Sequence, residues 1–285
     1  MREEDEVSFQ RRAEAFRSLH QSQGIFVIPN PWDAGSARIL QTHGFKALAT
    51  TSAGLAFSLG RPDGMAAISR YETLLNVKSI VDATDLPVSA DLENGFGHDP
   101  KIVAETITLA SLAGLAGGSI EDATGNNNDP IYAFELSVER IKAAVETVRG
   151  LSRPFTLTAR AENLIHGKID LKDTVKRLEA YAAAGADVLF APGLKTLTEI
   201  ETVVKAVAPK PVNIVMGLSG GNFSVKMLED VGVKRVSLGS SLIRASYTGF
   251  YKAFQEISKQ GTFGFANDAV SHAELNKLFN GYESK

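Results

Sequence analysis

The chain has 285 residues, 44% hydrophobic and 22% charged, enough for one sizeable core, and its net charge of -3 offers no basic surplus for nucleic acid. It has no cysteine, which excludes disulfides, thiolate metal sites and a cysteine nucleophile. No run approaches the roughly 20 apolar residues of a membrane span, and the acidic start, Met1 to Glu6, lacks an apolar signal core, so a cytoplasmic location is expected.

An amphipathic helix is predicted over Ser8–Gln23, with Phe9, Ala13, Phe16 and Leu19 on the face that covers an end of the core. Ile25–Ile28 reads as the first strand, and Pro29 to Asp33 leads into a helix over Ala34–His43 closed by Gly44. Ala47–Thr51 reads as the second strand. Ser52–Gly64 follows as a loop, too long and too rich in small residues and turn formers for an ordinary connection; such loops are commonly functional.

A helix over Tyr71–Ala83 precedes the strand Val88–Leu92, which runs into Asp91 and Glu93 and then Gly95 and Gly97. Two residues apart in a regular strand, Asp91 and Glu93 would point the same way, and like charges that close need a cation, a shared proton or bulk water. Mg²⁺ suits so sparse a site because it takes one or two carboxylates and keeps its waters. A solvated acid pair at a turn is the alternative.

After a helix over Pro100–Gly114, the strand Gly118–Asp122 ends in two more acids, and Ala123–Pro130 reads as a mobile polar loop fit for a lid, with Tyr132 just beyond it. Helix Leu136–Arg149 leads to the strand Phe155–Arg160, with Glu162 and Asn163 just past its end. The alternation continues through helix Leu171–Ala184, strand Ala186–Phe190, helix Glu199–Val207, strand Pro211–Val215, helix Ser224–Val231, strand Arg235–Leu238 and helix Ser240–Lys259.

Eight such units predict an α/β protein with a single (β/α)₈ TIM-type barrel domain over 1–285. The core spans about 25–258, with an N-terminal helix and a C-terminal helical extension over 259–285. A doubly wound open sheet is the alternative, but no strand is followed by the G-x-G-x-x-G that opens a nucleotide-binding helix. Charge gathers at strand C-termini, where barrels build their sites. Gly217–Asn222, after strand seven, sits where barrels often bind phosphate, although such a run is equally a flexible turn. The five histidines show no metal spacing, and Trp32 reads as a packing anchor.

Several runs together resemble the isocitrate lyase and phosphoenolpyruvate mutase superfamily: Asn30-Pro31-Trp32-Asp33 with Ser36-Ala37-Arg38, Thr51 to Gly54, Leu59 to Asp63, Ala90 to Gly97, Ile120-Glu121-Asp122 and Ala159 to Glu162. The resemblance covers about residues 25–250. It implies a Mg²⁺-dependent barrel, with Mn²⁺ as an alternative metal, that binds a 2-oxo acid or related carboxylate and makes or breaks a carbon-carbon or carbon-phosphorus bond. Position by position, Asp91 matches the main metal carboxylate, Glu93 stands where Asp is usual, and Glu121 matches an acid that holds metal-bound water. Thr51, Ser52 and Ala53 match the loop that holds the substrate carboxylate. Asp63 matches the acid of a gated loop, Arg160 the cation that neutralises substrate, and Asn213 is retained on strand seven.

The departures narrow the expectation. The Lys-Lys-Cys-Gly-His loop of the isocitrate and methylisocitrate lyases is Gly125-Asn126-Asn127-Asn128 here, and their glutamate after strand six is replaced within Phe190-Ala191-Pro192-Gly193. What survives implies a lyase or decarboxylase acting on a small 2-oxo acid, oxaloacetate-like or phosphonopyruvate-like, through an enolpyruvate intermediate. A phosphonopyruvate mutase or hydrolase and a non-catalytic small-carboxylate binder are the alternatives. The resemblance also implies a homo-oligomer, tetramer or dimer, in which the last barrel helix swaps between neighbours.

Overall fold

The computed structural model describes residues 3–64, 66–217 and 221–280. Its strands are β1 (Phe26–Ile28), β2 (Leu48–Ala49), β3 (Val88–Asp91), β4 (Gly117–Glu121), β5 (Thr156–Arg160), β6 (Val188–Phe190), β7 (Val212–Val215) and β8 (Arg235–Ser237). All pair in parallel in the order β1-β8-β7-β6-β5-β4-β3-β2, so the sheet curls until its two edge strands, β1 and β2, meet. This is the expected α/β barrel. Leu218 to Gly220, in the candidate phosphate turn, lie outside the described residues, as do the last five residues of the expected extension.

Around the strands run α1 (Glu3–Gln21), α2 (Ala34–Gln41), α3 (Ser52–Ser58), α4 (Arg70–Asp82), α5 (Pro100–Leu112), α6 (Phe134–Arg149), α7 (Leu171–Ala184), α8 (Leu197–Val207), α9 (Val225–Asp230), α10 (Ser241–Gln260) and α11 (His272–Phe279). Apart from α1, α6 and α10, their starts are set by side chains that satisfy first-turn N–H groups. Asp33 accepts from Ser36 N at 2.7 Å, and Ser69 with Glu72 and Thr196 with Glu199 form capping boxes. Outward-facing strand residues such as Leu157 and Leu189 pack with Val103, Ile107, Ile141 and Leu178 of the helices into the main core. At the N-terminal end α1 lies across the mouth, with Phe16 packed against Phe26 and Ala47.

One expectation fails after strand two. The run read as a loop from Ser52 begins as α3, because Thr51 is extended at φ -141° and its hydroxyl accepts from Gly54 N at 3.2 Å. Only the stretch beyond Ser58 is irregular. Arg61 pins it, with its backbone N–H donating to Ala56 O at 2.8 Å and its side chain paired with Glu72 at 2.7 Å. The polar loop after β4 is likewise a closed turn: an antiparallel bridge joins Ala123 to Ile131, and the Thr124 hydroxyl donates to Asp129 O at 2.5 Å.

Helix α10 buries little for its twenty residues. Ile243 is its one buried side chain among the described residues, and Tyr247, Phe250, Tyr251, Phe254 and Ile257 are exposed along it. Among the described residues, no helix is long and apolar enough to cross a membrane.

Asn30 bridges the seam between β1 and β2. Its Nδ2 donates to Thr50 O at 2.9 Å, and its Oδ1 accepts from Leu238 N at 2.8 Å and Gly239 N at 3.0 Å. Ala49 N donates to Pro29 O at 3.0 Å beside it. Asn30→Ala leaves three backbone groups unsatisfied and should lower the unfolding free energy by about 2–4 kcal/mol, since each stranded group costs about 1–3 kcal/mol when buried and part of this seam reaches water. Urea titration measures it. A change below about 0.5 kcal/mol, the range of an ordinary surface substitution, would mean the seam does not depend on Asn30.

Candidate active site

The site grows from the end of β3. Asp91 is the last strand residue; its Oδ1 accepts from Glu93 N at 3.2 Å, a side-chain-to-backbone turn that ends the strand. Gly95 N then donates to Leu92 O at 2.8 Å, and Glu93 sits at φ 48° in the left-handed region. Asp91 and Glu93 therefore do not project in parallel as a regular strand would have them, because the turn made by Asp91 itself swings Glu93 aside. Asp91 is held from two more sides: its N–H donates to Thr50 Oγ1 at 3.0 Å, and its Oδ2 accepts from Ser52 N at 3.3 Å.

Arg160, the last residue of β5, faces the same space. Its Nη1 lies 3.0 Å from Asp91 Oδ1 and 3.2 Å from Glu121 Oε2, its Nε donates to Glu162 Oε1 at 2.9 Å, and its guanidinium lies over the Phe190 ring at 5.1 Å. The register explains the meeting, since Glu121 pairs with Arg160 and Arg160 with Phe190 on adjacent strands. Burial opposes the charge of Arg160, but Glu162, Glu121 and Asp91 outweigh it and hold its pKa well above the ordinary arginine value.

One cation does not balance this many acids. Burial, then Asp91 and Asp63, push the Glu93 carboxyl up to about 8. Burial raises Glu121 and Glu162 despite Arg160, and burial followed by Asp91 raises Asp63.

A cavity of about 480 Å³ opens at this end of the barrel, lined by Thr51, Ser52, Ala53, Asp63, Asp91, Arg160, Pro192 and Asn213 among others. Seven of the sequence-predicted site residues are thus brought together, and Asp63 already faces the cavity beside the Ser52 hydroxyl. Glu93 and Glu121 instead line an adjoining cavity of about 580 Å³ with Thr124, Gly125 and His98. Asn126 to Asn128 are exposed. Tyr132 is buried next to that second cavity, its hydroxyl 2.7 Å from His98 Nδ1 and its ring under Arg140 at 4.2 Å.

Sequence reasoning missed two supports of the site. Asp122 points outward where Glu121 points inward; it accepts from Glu162 N at 2.8 Å, Arg177 at 3.0 Å and the Tyr181 hydroxyl at 2.7 Å, and so fixes the residue that grips Arg160. The period-two alternation of β4 was the available signal.

The other is the cavity floor. Arg235, at the start of β8, reaches across the barrel interior to Thr158 Oγ1 at 3.0 Å on β5, while its Nε donates to Asn213 Oδ1 at 2.8 Å. Asn213, expected to bind substrate, spends its Nδ2 on Ser237 Oγ at 2.9 Å. The third partner of Arg235 is His20 Nε2 at 3.2 Å, and His20 Nδ1 lies 2.9 Å from Phe16 O. A carbonyl accepts only, so Nδ1 carries the proton and Nε2 offers its lone pair.

Burial, then Arg235, holds the His20 pKa down at about 3. A histidine depressed in the folded state stabilises fully above its unfolded value near 6.5 and loses that contribution as pH falls toward the folded value. The protein should therefore lose up to about 1.4 kcal/mol per pH unit from this residue between about pH 6.5 and 3. His20→Gln should remove that part of the slope. Urea midpoints at pH 7 and 4.5 check it, and an unchanged slope would place the acid sensitivity elsewhere.

The donors at the strand ends are all hard carboxylate oxygens with surplus negative charge, which fits a divalent cation such as Mg²⁺. Among the described residues no three acidic or histidine side chains converge as a complete cage. The fit is therefore to an ion that retains several waters.

Comparison with known proteins follows the same lines. A solved candidate lyase/mutase from Burkholderia cenocepacia J2315 is 55% identical, with a TM-score of 0.94 over 96% of this chain and 98% of that one. The 2-methylisocitrate lyase of Escherichia coli K12 is 28% identical over 287 residues, 97% of this chain and 95% of the relative. The oxaloacetate decarboxylase of Bradyrhizobium diazoefficiens is 32% identical over 207 residues, 70% of this chain and 69% of the relative. The family described as phosphoenolpyruvate phosphomutase matches residues 16–258, so the chain belongs to that family, within the isocitrate lyase and phosphoenolpyruvate mutase superfamily.

Proposed function

We propose that this protein is a Mg²⁺-dependent lyase or decarboxylase that acts on a small 2-oxo acid, oxaloacetate-like or phosphonopyruvate-like, through an enolpyruvate intermediate. The observation that carries the reading is the set of four carboxylates, Asp91, Glu121 and Glu162 in contact with Arg160 and Glu93 close by, at the strand ends beside an open cavity. Asp91 would hold the metal directly, and Glu93 and Glu121 would hold it through water; Mn²⁺ would serve in its place. The ion would supply Lewis-acid stabilisation of the charge that develops on the 2-oxo oxygen.

The remaining work belongs to the chain. Thr51, Ser52 and Ala53 orient the substrate carboxylate at the first turn of α3. Arg160 adds a fixed positive charge in a water-poor space, where such preorganised charge is worth most. When the C3–C4 bond of an oxaloacetate-like acid breaks, CO₂ leaves and the bonding electron pair moves onto the 2-oxo group as an enolate. With a phosphonopyruvate-like acid the C3–P bond breaks instead and water takes up the phosphoryl group. Asp63, raised by burial and facing the cavity, returns a proton to C3.

The absence of cysteine and the exposure of Asn126 to Asn128 support a small acid over methylisocitrate, because no thiol can deliver a proton from that loop. We place the enzyme in the cytoplasm as a homo-oligomer, with a second copy covering the exposed aromatic row of α10.

Pyruvate release from oxaloacetate, phosphonopyruvate and methylisocitrate, each with and without Mg²⁺, tests the reading. One of the two small acids should turn over only with the metal, and methylisocitrate should not. Asp91→Ala should lower that turnover by about a thousandfold, matching the several kcal/mol that metal stabilisation supplies, with the circular dichroism spectrum unchanged. Efficient methylisocitrate cleavage would overturn the substrate assignment. Tight, metal-dependent oxalate binding with no turnover of any acid would favour a non-catalytic binder.

A further inference from the structure

The two arginines of the cavity differ in what answers their charge. Arg160 is surrounded by Asp91, Glu121 and Glu162. Arg235 is 5% exposed, lines the same cavity, and is bonded to Asn213, Thr158 and His20, all of them neutral. These account for three of its five N–H hydrogens and leave two without a partner among the described residues. Burial alone lowers its pKa, to about 9, and no carboxylate counters that. Its charge is retained at neutral pH.

Burying a guanidinium without a counter-ion is costly, and buried charges in folded proteins are ordinarily paired. A residue that only plugged the barrel floor would do so at lower cost as an amide or an aliphatic side chain. Position supplies a reason for the charge. Thr158, which Arg235 touches, lies two residues before Arg160 on β5 and on the same face, so the two guanidinium levels are separated by roughly 7 Å along the strand. Ser89 and Ser119 line the cavity between strand ends and floor. This spacing suits a small molecule with anionic groups at both ends.

We propose that Arg235 is a specificity-determining residue that receives the distal carboxylate of a dicarboxylic substrate, whose first carboxylate and 2-oxo group lie at the strand ends near Arg160. The assignment rests on the 2-oxo acid site proposed above and narrows its substrate from an oxaloacetate-like or phosphonopyruvate-like acid to one whose second anionic group is a carboxylate. Asn213, Thr158 and neutral His20 hold the guanidinium in place without cancelling its charge. Arginine suits the task because its fork grips a carboxylate with two parallel donors.

Malate and lactate of the same handedness at C2 share the hydroxy-carboxylate end and differ only in the second carboxylate, and neither presents a 2-oxo group for reaction. Calorimetric titration of the Mg²⁺-loaded wild type should show malate bound at least about tenfold more tightly than lactate. Arg235→Gln should weaken malate by about a hundredfold and lactate by less than about threefold, as expected when one partner of a buried charged contact is removed. Arg235→Lys, which keeps the charge, should retain a preference for malate. It also carries the test if the glutamine variant loses its native circular dichroism.

Equal affinity of the wild type for the two acids would overturn the proposal, as would equal losses for both in Arg235→Gln, the result of a purely structural role. Lactate binding that depends on Mg²⁺ in either case would leave the 2-oxo acid site standing. Binding of neither acid to the metal-loaded wild type would overturn that site and this assignment with it.

Discussion

The arrangement turns on Arg160 and the carboxylates it gathers. Three acids from three different strand ends converge on one guanidinium, and Glu93 adds a fourth negative group nearby. In a partly buried space such a group is unstable without more positive charge, and it relieves itself by holding protons or by taking a cation. Such a charge pattern suits a divalent ion and a small anion together better than either alone, because each would supply charge that the other lacks.

The barrel delivers this crowding through strand parity. Glu121 points inward to Arg160, and its neighbour Asp122 points outward to Arg177 and Tyr181, so one dipeptide serves the reaction space and its support. Arg140 performs a similar service under the β3 loop, where it donates to the carbonyls of Gly97 and His98 at 2.6 and 2.7 Å and also to that of Asn94. Loops that would carry the proposed metal and substrate contacts are in this way tied to helices behind them, which limits the reorganisation a ligand would require.

The eight strands could be read from sequence because each is a short apolar run separated from the next by a helical period, and that signal is local. The structure departs from the expectation where a single side-chain hydrogen bond or the strand register decides the local geometry. Ser52–Ser58 reads as a loop by composition, yet the Thr51 hydroxyl is enough to start a helix there. Helix α8 begins at Leu197, two residues before the expected Glu199, because Thr196 and Glu199 form a capping box there. Glu93 could not be placed from spacing alone, since the turn made by Asp91 reverses its direction. Arg235 follows Lys234 and looks like one of a pair of surface bases; only the register of β8 with β7 shows that it faces the barrel interior.

The central claim is that this acid cluster exists to hold a divalent cation beside the substrate cavity. Crystals grown with Mn²⁺ in place of Mg²⁺, together with oxalate, test it by anomalous scattering. The account predicts one strong anomalous peak next to the Asp91 carboxylate, on the side of Glu93 and Glu121, that disappears in Asp91→Ala crystals. Saturating Mn²⁺ with no peak there, or a peak bound only to residues outside this cluster, would contradict it.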